Sequence, residues 1–303
     1  MASRRVEVEI EGRTLSLSNL DKVLYPKAGF TKAQVIDYYT RVAPVLLPHL
    51  RDRPLTLKRY PNGVEGEFFY EKQCPKHRPE WVRTQAVWSR HAKRTIEFCV
   101  TDDLPTLVWT SNLADLELHT SLAKVQDVAA PTILAFDLDP GPPATIVECA
   151  EVAVRLREIF DHLGLRAFPK TSGSKGMQVY VPVNTPTSYD VTKPFALAIA
   201  ELLERRHPEL VVSDMKKALR TGKVLVDWSQ NDEHKTTVCV YSLRAKDHPT
   251  VSTPISWEEV EAVRISREPE ELAFDSDAVL ARVAELGDLF APVETLEQEL
   301  PSG

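Results

Sequence analysis

Cysteine is scarce in this 303-residue chain, with four in all: Cys74, Cys99, Cys149 and Cys239. They are too scattered for a redox pair or a paired-cysteine zinc site, and they read as small core residues. Cys74-Pro75-Lys76-His77 sets two ligand types close together, but the second Cys/His pair of a structural zinc site is missing. No apolar run approaches the ~18 residues of a membrane span, and the stretch Met1 to Glu7 lacks the apolar core of a signal peptide. No membrane partner and a cytoplasmic location are therefore expected. Internal repeats and low-complexity linkers are absent as well. The expected organisation is one α/β unit over residues 1–290, acidic and partly helical from about 256, with a tail over 291–303 and a monomeric state.

With 43% hydrophobic and 27% charged residues, the chain has the composition of a soluble globular protein long enough for a core without staples. The net charge of −7 is unevenly placed. Residues 256–303 carry 13 Asp and Glu against 3 Lys and Arg, which leaves 31 acids and 34 bases for the other 255 residues. A mildly basic body with an acidic C-terminal part still permits a cleft that binds a polyanion.

Val6 to Ser16 alternates around Gly12-Arg13 as a hairpin would. Leu20 to Pro26 leads into a turn, and Thr31 can cap a helix carrying Val35, Ile36, Tyr39, Val42, Leu46 and Leu47 at helical spacing. Strands are expected over Leu55 to Tyr60 and Arg94 to Val100, with mostly helical structure from Leu104 to Leu122. The segment Asn62 to Arg83 mixes Gly, Pro, charge and aromatics, which suits a binding surface. Beyond it come a helix from Thr145 to His162, short strands over Leu165 to Phe168 and Met177 to Val183, and a helix from Thr192 to Arg206. Strands over Val224 to Trp228 and Thr236 to Leu243 and a helix near Asp277 to Leu286 complete the expected order.

Thr132 to Gly141 is an apolar run that ends in two carboxylates one residue apart, Asp137-Leu138-Asp139, followed by Pro140-Gly141. Alternate side chains of a strand share a face ~7 Å apart, so Asp137 and Asp139 can enter one cleft at a strand end. A strand running into an acidic turn is the plain alternative. Asp227 has a similar setting, ending an apolar strand before Ser229-Gln230-Asn231, and reads equally as a turn acid. Three carboxylates would suit two Mg²⁺ or Mn²⁺ ions that activate an attacking hydroxyl and stabilise a leaving pyrophosphate. Ser172-Gly173-Ser174-Lys175-Gly176 suits a phosphate group, although a flexible hairpin turn fits it as well and the spacing is not that of a Walker loop. Lys217, Arg220, Lys223 and Arg244 can neutralise phosphates or simply form a solvated face. Phe68-Phe69 is a base-stacking platform or a packed loop, and His119 taken alone reads as structural.

Taken in order, these pieces resemble the polymerase module of bacterial DNA ligase D, within the archaeo-eukaryotic primase superfamily. The resemblance runs through Asp21-Lys22-Val23-Leu24-Tyr25-Pro26, Lys58-Arg59-Tyr60-Pro61-Asn62-Gly63, Phe68-Phe69-Tyr70-Glu71-Lys72-Gln73, Leu116-Glu117-Leu118-His119, Phe136 to Gly141, Thr171 to Gly176, Val226 to Asn231 and Tyr241-Ser242-Leu243-Arg244. It implies a two-lobed α/β (mixed α+β) primase-polymerase core whose RNA-recognition-motif-like sheet carries the acids. Asp137, Asp139 and Asp227 are then the metal triad, with Asp227 helping to deprotonate the primer 3′-hydroxyl. His119, Ser172, Lys175, Gln230 and Arg244 are implied around the triphosphate of an incoming NTP or dNTP, and Lys22 and Lys32 at the 5′-phosphate across a gap. Phe68 and Phe69 are implied to stack on the template, and Lys58 and Arg220 to touch the DNA backbone. Family members favour ribonucleotides and Mn²⁺.

The resemblance departs after His119, where Thr120-Ser121-Leu122-Ala123-Lys124 replaces a Pro- and Trp-bearing segment. The sequence also holds no Lys-x-Asp-Gly adenylation motif. On these grounds the expected role is a stand-alone gap-filling nucleotidyltransferase of excision repair in the bacterial cytosol, acting on gapped or broken double-stranded DNA beside a separate ligase. A polymerase module of non-homologous end joining acting with Ku and a ligase is the alternative. A two-metal nuclease and a catalytically idle DNA-end-binding module are the readings from other classes.

Overall fold

A computed structural model describes residues 5–89 and 93–301. The first four residues of the stretch read at the N-terminus and the last two of the expected tail lie outside the described residues. The chain packs as two compact units, the first of Met1–Ser121, Val238–Val251 and Asp275–Gly287, the second of Leu122–Thr237, Ser252–Phe274 and Asp288–Gly303.

In the first unit the hairpin forms as Arg5–Ile10 against Arg13–Ser18, closed by Glu11 and Gly12, both with positive φ, which suits a tight two-residue turn. Thr31 caps the helix Lys32–Leu50 reciprocally. Its side chain accepts from the Gln34 N–H, and its own N–H donates to Gln34 Oε1 at 2.8 Å. The antiparallel sheet of this unit is built around Pro54–Arg59, which pairs with Arg94–Val100 on one side and Asp115–Thr120 on the other. Thr84–Ser89 pairs with the outer edge of Arg94–Val100, and Phe69–Glu71 pairs with Leu57 to Arg59.

Three expectations fail here. The helix from Leu104 stops at Asn112 instead of continuing to Leu122, because Ala114 adopts a φ of 59°, and Asp115–Thr120 is a strand. His119 therefore sits on a strand and not in the mostly helical stretch expected there. Leu116 and Leu118 point one way, while Glu117 and His119 share the other face. The strand expected over Thr236 to Leu243 shrinks to Thr237–Val238, since Tyr241 at a φ of 63° breaks the extended path. Ser242 Oγ still accepts from the Leu118 N–H at 2.9 Å, so a side chain takes over the missing backbone pairing. Finally, Cys74 and Cys99 form a disulfide, whereas Cys149 and Cys239 are free and buried. The Cys74 N–H donates to Glu97 O, which brings residues 25 positions apart together in a way that spacing does not show.

The second unit holds a five-stranded sheet in the order Phe168–Thr171, Met177–Pro182, Ile133–Pro140, Val224–Asp227, Val211–Val212. All pairings are antiparallel except the last. The strand expected over Leu165 to Phe168 begins only at Phe168, with Leu165 and Ala167 in the core. Leu134, Phe136, Leu138, Met177, Val179, Val181, Val224 and Val226 line one face and pack with the helices Ile146–His162 and Tyr189–Arg206. Thr145 and Glu148 form the capping box that starts the first of these helices.

The acidic C-terminal part is packed. It holds helices Trp257–Ser266 and Ser276–Leu286, and Val260, Val263, Leu272, Val279, Phe290 and Val293 are buried. Asn184 Nδ2 donates to Val293 O at 3.1 Å and Leu296 O at 2.8 Å, and Gln298 N donates to Val183 O at 2.8 Å. Among the described residues no helix is long and apolar enough to cross a membrane.

Candidate functional site

The apolar face of the second unit's sheet leaves its other face to polar side chains. Directly paired residues of neighbouring strands share a face, and one such row reads Lys170, Gln178, Asp137, Asp227. Asp139 lies two residues beyond Asp137 on the same face. Burial pushes the Asp137 carboxyl up to about 7, and Asp139 and then Asp227 push it the same way, against a hydrogen bond from Gln178 and the charge of Lys170. Lys170 is fully buried, donates to Ser252 Oγ at 2.7 Å and lies 5.3 Å from the Tyr180 ring centroid. Gln178 also donates from Nε2 to Thr237 Oγ1 at 3.0 Å.

Asp227 ends its strand and caps the short turn Trp228–Gln230. Its Oδ1 accepts from the Ser229 N–H at 2.8 Å and Ser229 Oγ at 2.6 Å, and its Oδ2 accepts from Gln230 Nε2 at 3.1 Å. Asn231, fully buried, carries the strand pairing further with its side chain. Its Oδ1 accepts from the Ala135 N–H at 2.9 Å and its Nδ2 donates to Ala135 O at 2.8 Å, two residues before Asp137. The carboxamide mimics a peptide group and fixes the acid-bearing strand.

The Ser172 to Gly176 loop is tight. Ser172 N donates to Gly176 O at 2.9 Å, and the N–H groups of Ser174 and Gly176 both donate to Ser172 Oγ. Those two backbone donors, which the sequence offers to a phosphate, are thus engaged within the loop. Lys175 is exposed and has no ion-pair partner among the described residues. Gly176 is required because a Cβ there would strike Leu138 O, between the two acids. Gly141 is required likewise by the close passage of Arg220 O, and Arg220 Nη2 donates to Met215 O at 2.6 Å.

The first unit gathers a different set. Glu117, its side chain only 2% exposed, lies 3.0 Å from Lys58 Nζ, 3.1 Å from His119 Nε2 and 3.4 Å from Arg244 Nε, all measured to Oε2. Burial raises the Glu117 carboxyl, but His119, Arg244 and Lys58 outweigh it and hold the group well below the usual carboxylate range. Burial lowers His119, with Glu117 pulling the other way. Lys58 Nζ also lies 4.7 Å from the Phe68 ring centroid, 5.4 Å from that of Tyr60 and 5.5 Å from that of Tyr70. Phe69 instead stands with Arg59, 5.2 Å from its guanidinium. Phe68 and Phe69, 51% and 44% exposed, therefore each face a different cation.

Lys22 is exposed, and its Nζ donates to Pro61 O at 2.5 Å and Asn62 Oδ1 at 3.1 Å. Lys32 is buried and donates to Ser18 O at 2.7 Å. Burial, then the charges of Lys22 and Arg59, lower the Lys32 ammonium to about 8. Three cations within mutual reach suit an anion. A cavity of about 660 Å³ is lined by Val6, Asn19, Leu20, Asp21 and Lys22.

The expected residues thus divide by unit. Asp137, Asp139, Asp227, Ser172, Lys175, Arg220 and Gln230 belong to the second, and Lys22, Lys32, Lys58, Phe68, Phe69, His119 and Arg244 to the first. Among the described residues no group of three or more His, Cys, Asp or Glu is placed to hold a metal ion. Reading the sequence missed Glu117, Lys170, Gln178 and Asn231. Only the alternation in Leu116-Glu117-Leu118-His119 gave a signal, by putting Glu117 on the face of His119.

The fold is of the mixed α/β polymerase class. Across 94% of this chain and 99% of the other, at 40% identity, it superposes with a TM-score of 0.87 on the polymerase domain from Mycobacterium tuberculosis ligase D in complex with DNA. The family model for LigD, primase-polymerase domain, matches residues 31–290. The multifunctional non-homologous end joining protein LigD of Mycolicibacterium smegmatis is 41% identical over 280 residues, 92% of this chain and 36% of that protein. The bifunctional non-homologous end joining protein LigD of Bacillus subtilis is 32% identical over 274 residues, 90% of this chain and 43% of that protein. The chain belongs to the LigD primase-polymerase domain family, a family of DNA-repair nucleotidyltransferases, and it spans less than half the length of these curated relatives.

Proposed function

We propose that this chain adds nucleotides to a primer 3′-hydroxyl, directed by the template, at a short gap or break whose far side carries a 5′-phosphate. The observation that carries the reading is the pairing of Asp137 with Asp227 across two strands, with Asp139 on the same face. Family membership supports the same chemistry. Divalent Mn²⁺ or Mg²⁺ is part of the proposal. The donors fit by charge, since a buried carboxylate burdened by two like charges is relieved by a cation. Asp137, Asp139 and Asp227 would hold the ions, which supply Lewis-acid activation of the hydroxyl and neutralise the pyrophosphate. Asp227, oriented by Ser229 and Gln230, is proposed to aid deprotonation of the primer hydroxyl. His119, Ser172, Lys175, Gln230 and Arg244 are each proposed as triphosphate ligands, with either sugar accepted. Phe68 is proposed for the template strand, and Phe69 with Arg59, and Arg220, for further DNA contacts.

The relatives' names favour an end-joining setting over the stand-alone excision-repair role expected from the sequence, and Ku and a ligase are the partners proposed for it. Both settings present a 5′-phosphate to Lys22 and Lys32. Replacing either lysine by Ala is expected to weaken binding of a 5′-phosphorylated gap by on the order of tenfold, the loss of one charge-assisted hydrogen bond, and to leave a 5′-hydroxyl gap unaffected. The preference of the wild-type protein for the phosphate should shrink as pH rises through about 8, where Lys32 loses its proton. Fluorescence anisotropy with paired phosphorylated and unphosphorylated gaps measures both. Equal losses on the two DNAs would reduce these lysines to unspecific charge.

A further inference from the structure

Glu117 has no part in the chemistry proposed so far, although it stands at the centre of the first unit's basic residues. One buried carboxylate serves five groups. Oε2 meets Lys58 at 3.0 Å, His119 at 3.1 Å and Arg244 at 3.4 Å, while Oε1 accepts from the Ala245 N–H at 3.0 Å and from the Tyr60 hydroxyl at 3.5 Å. Register explains the gathering, because Glu117 pairs directly with Lys58 and His119 with Thr56, so all four share one face of the sheet. The Lys58 ammonium and the Arg244 guanidinium this close would repel each other and splay apart without a counter-charge. A carboxylate beneath them holds them together.

We propose that Glu117 is a positioning residue. It gathers Lys58, His119 and Arg244 into one preformed receptor for a polyphosphate, and by accepting from His119 Nε2–H it leaves His119 Nδ1 to the ligand. The proposal deepens the nucleotide-binding reading and rests on it for the identity of the polyphosphate. A neutral imidazole presents a lone pair at Nδ1, so a bound polyanion must bring a proton to that nitrogen. Polyphosphate binding is therefore coupled to uptake of one proton by His119. The groups that face this ring are Glu117, Arg244, Lys58 and the Tyr70 ring, whose centroid is 5.6 Å away. Lys58 and Arg244 oppose the charging of His119, and Glu117 is the acid that favours it.

The test uses the full chain and inorganic tripolyphosphate as probe. Calorimetry in two buffers of different ionisation enthalpy counts the protons, and NMR of the imidazole nitrogens follows His119. The wild-type protein should take up close to one proton on binding near neutral pH. In Glu117→Gln the affinity should fall at least tenfold, and the His119 titration midpoint should move to lower pH. If that variant fails to fold, Glu117→Asp, which keeps the charge on a shorter arm, should show a smaller loss of affinity and keep the proton uptake. Unchanged affinity together with an unchanged His119 titration in either folded variant would overturn the proposal. Primer extension by the wild-type protein separates the two claims. A protein that binds tripolyphosphate through Glu117 but extends no primer keeps the receptor and loses the nucleotidyltransferase reading.

Discussion

Asp137→Ala should abolish primer extension, with a loss on the order of 10³-fold or more, the equivalent of several kcal/mol of transition-state stabilisation. Asp137 sits in the middle of the polar row, between Gln178 and Asp227. The loss should fall on turnover and leave gapped-DNA binding largely intact, because the basic and aromatic groups proposed for DNA lie elsewhere in the chain. Single-turnover extension beside anisotropy on the same DNA separates the two effects. Extension within a few-fold of wild type would remove the carboxylate row from the chemistry.

The second large effect is on stability. Phe136 lies between Ala135 and Asp137, points to the helix-backed face and is fully buried, with its ring centroid 5.4 Å from that of Phe160. Phe136→Ala should cost about 3–5 kcal/mol, the loss of a buried aromatic ring plus the cavity it leaves. That is a large fraction of the ~5–15 kcal/mol that stabilises a typical domain. Urea denaturation of the two proteins measures it. A shift below about 1 kcal/mol would mean that this face is not the close-packed core the structure describes. The two predictions concern adjacent residues on opposite faces of one strand, so one should change turnover with little loss of stability, and the other mainly stability.

How far the sequence foretold this arrangement depends on the range of the interactions involved. The helices opened by Thr31 and Thr145 were legible because a capping box is local, needing only the residue three positions on. The acids at the end of Ile133–Pro140 were legible for the same reason, since a two-residue period and a Pro-Gly stop lie within ten residues. The strand Asp115–Thr120 was not. Its apolar residues follow directly on those of Leu104–Asn112 and extend a helical reading, and only the backbone reversal at Ala114 separates the two elements. The bond between Cys74 and Cys99, the carboxamide of Asn231 on Ala135, and the position of Lys170 in the Asp137 row all depend on strand register between distant segments. Glu117 belongs to the same group. Its partners are 59 residues before it, two after it and, through Arg244, beyond the second unit's main stretch.

The ordered motifs carried the family assignment where single residues did not. Taken alone, His119 reads as structural and Phe68-Phe69 as either a base-stacking platform or a packed loop. In the structure His119 shares a carboxylate with Arg244, and the two rings face separate cations. Adjacent residues of an extended chain point to opposite sides, so the two rings form two separate aromatic-cation contacts.

The most direct measurement is the length of a labelled primer after incubation with a 5′-phosphorylated gap, each nucleoside triphosphate in turn, and Mn²⁺ or Mg²⁺. The primer should lengthen by the gap size, with the nucleotide that the template specifies, and should stay unchanged when the ion is chelated. A primer that shortens, as a nuclease would leave it, or that stays the same length with nucleotide and ion present, would contradict the account.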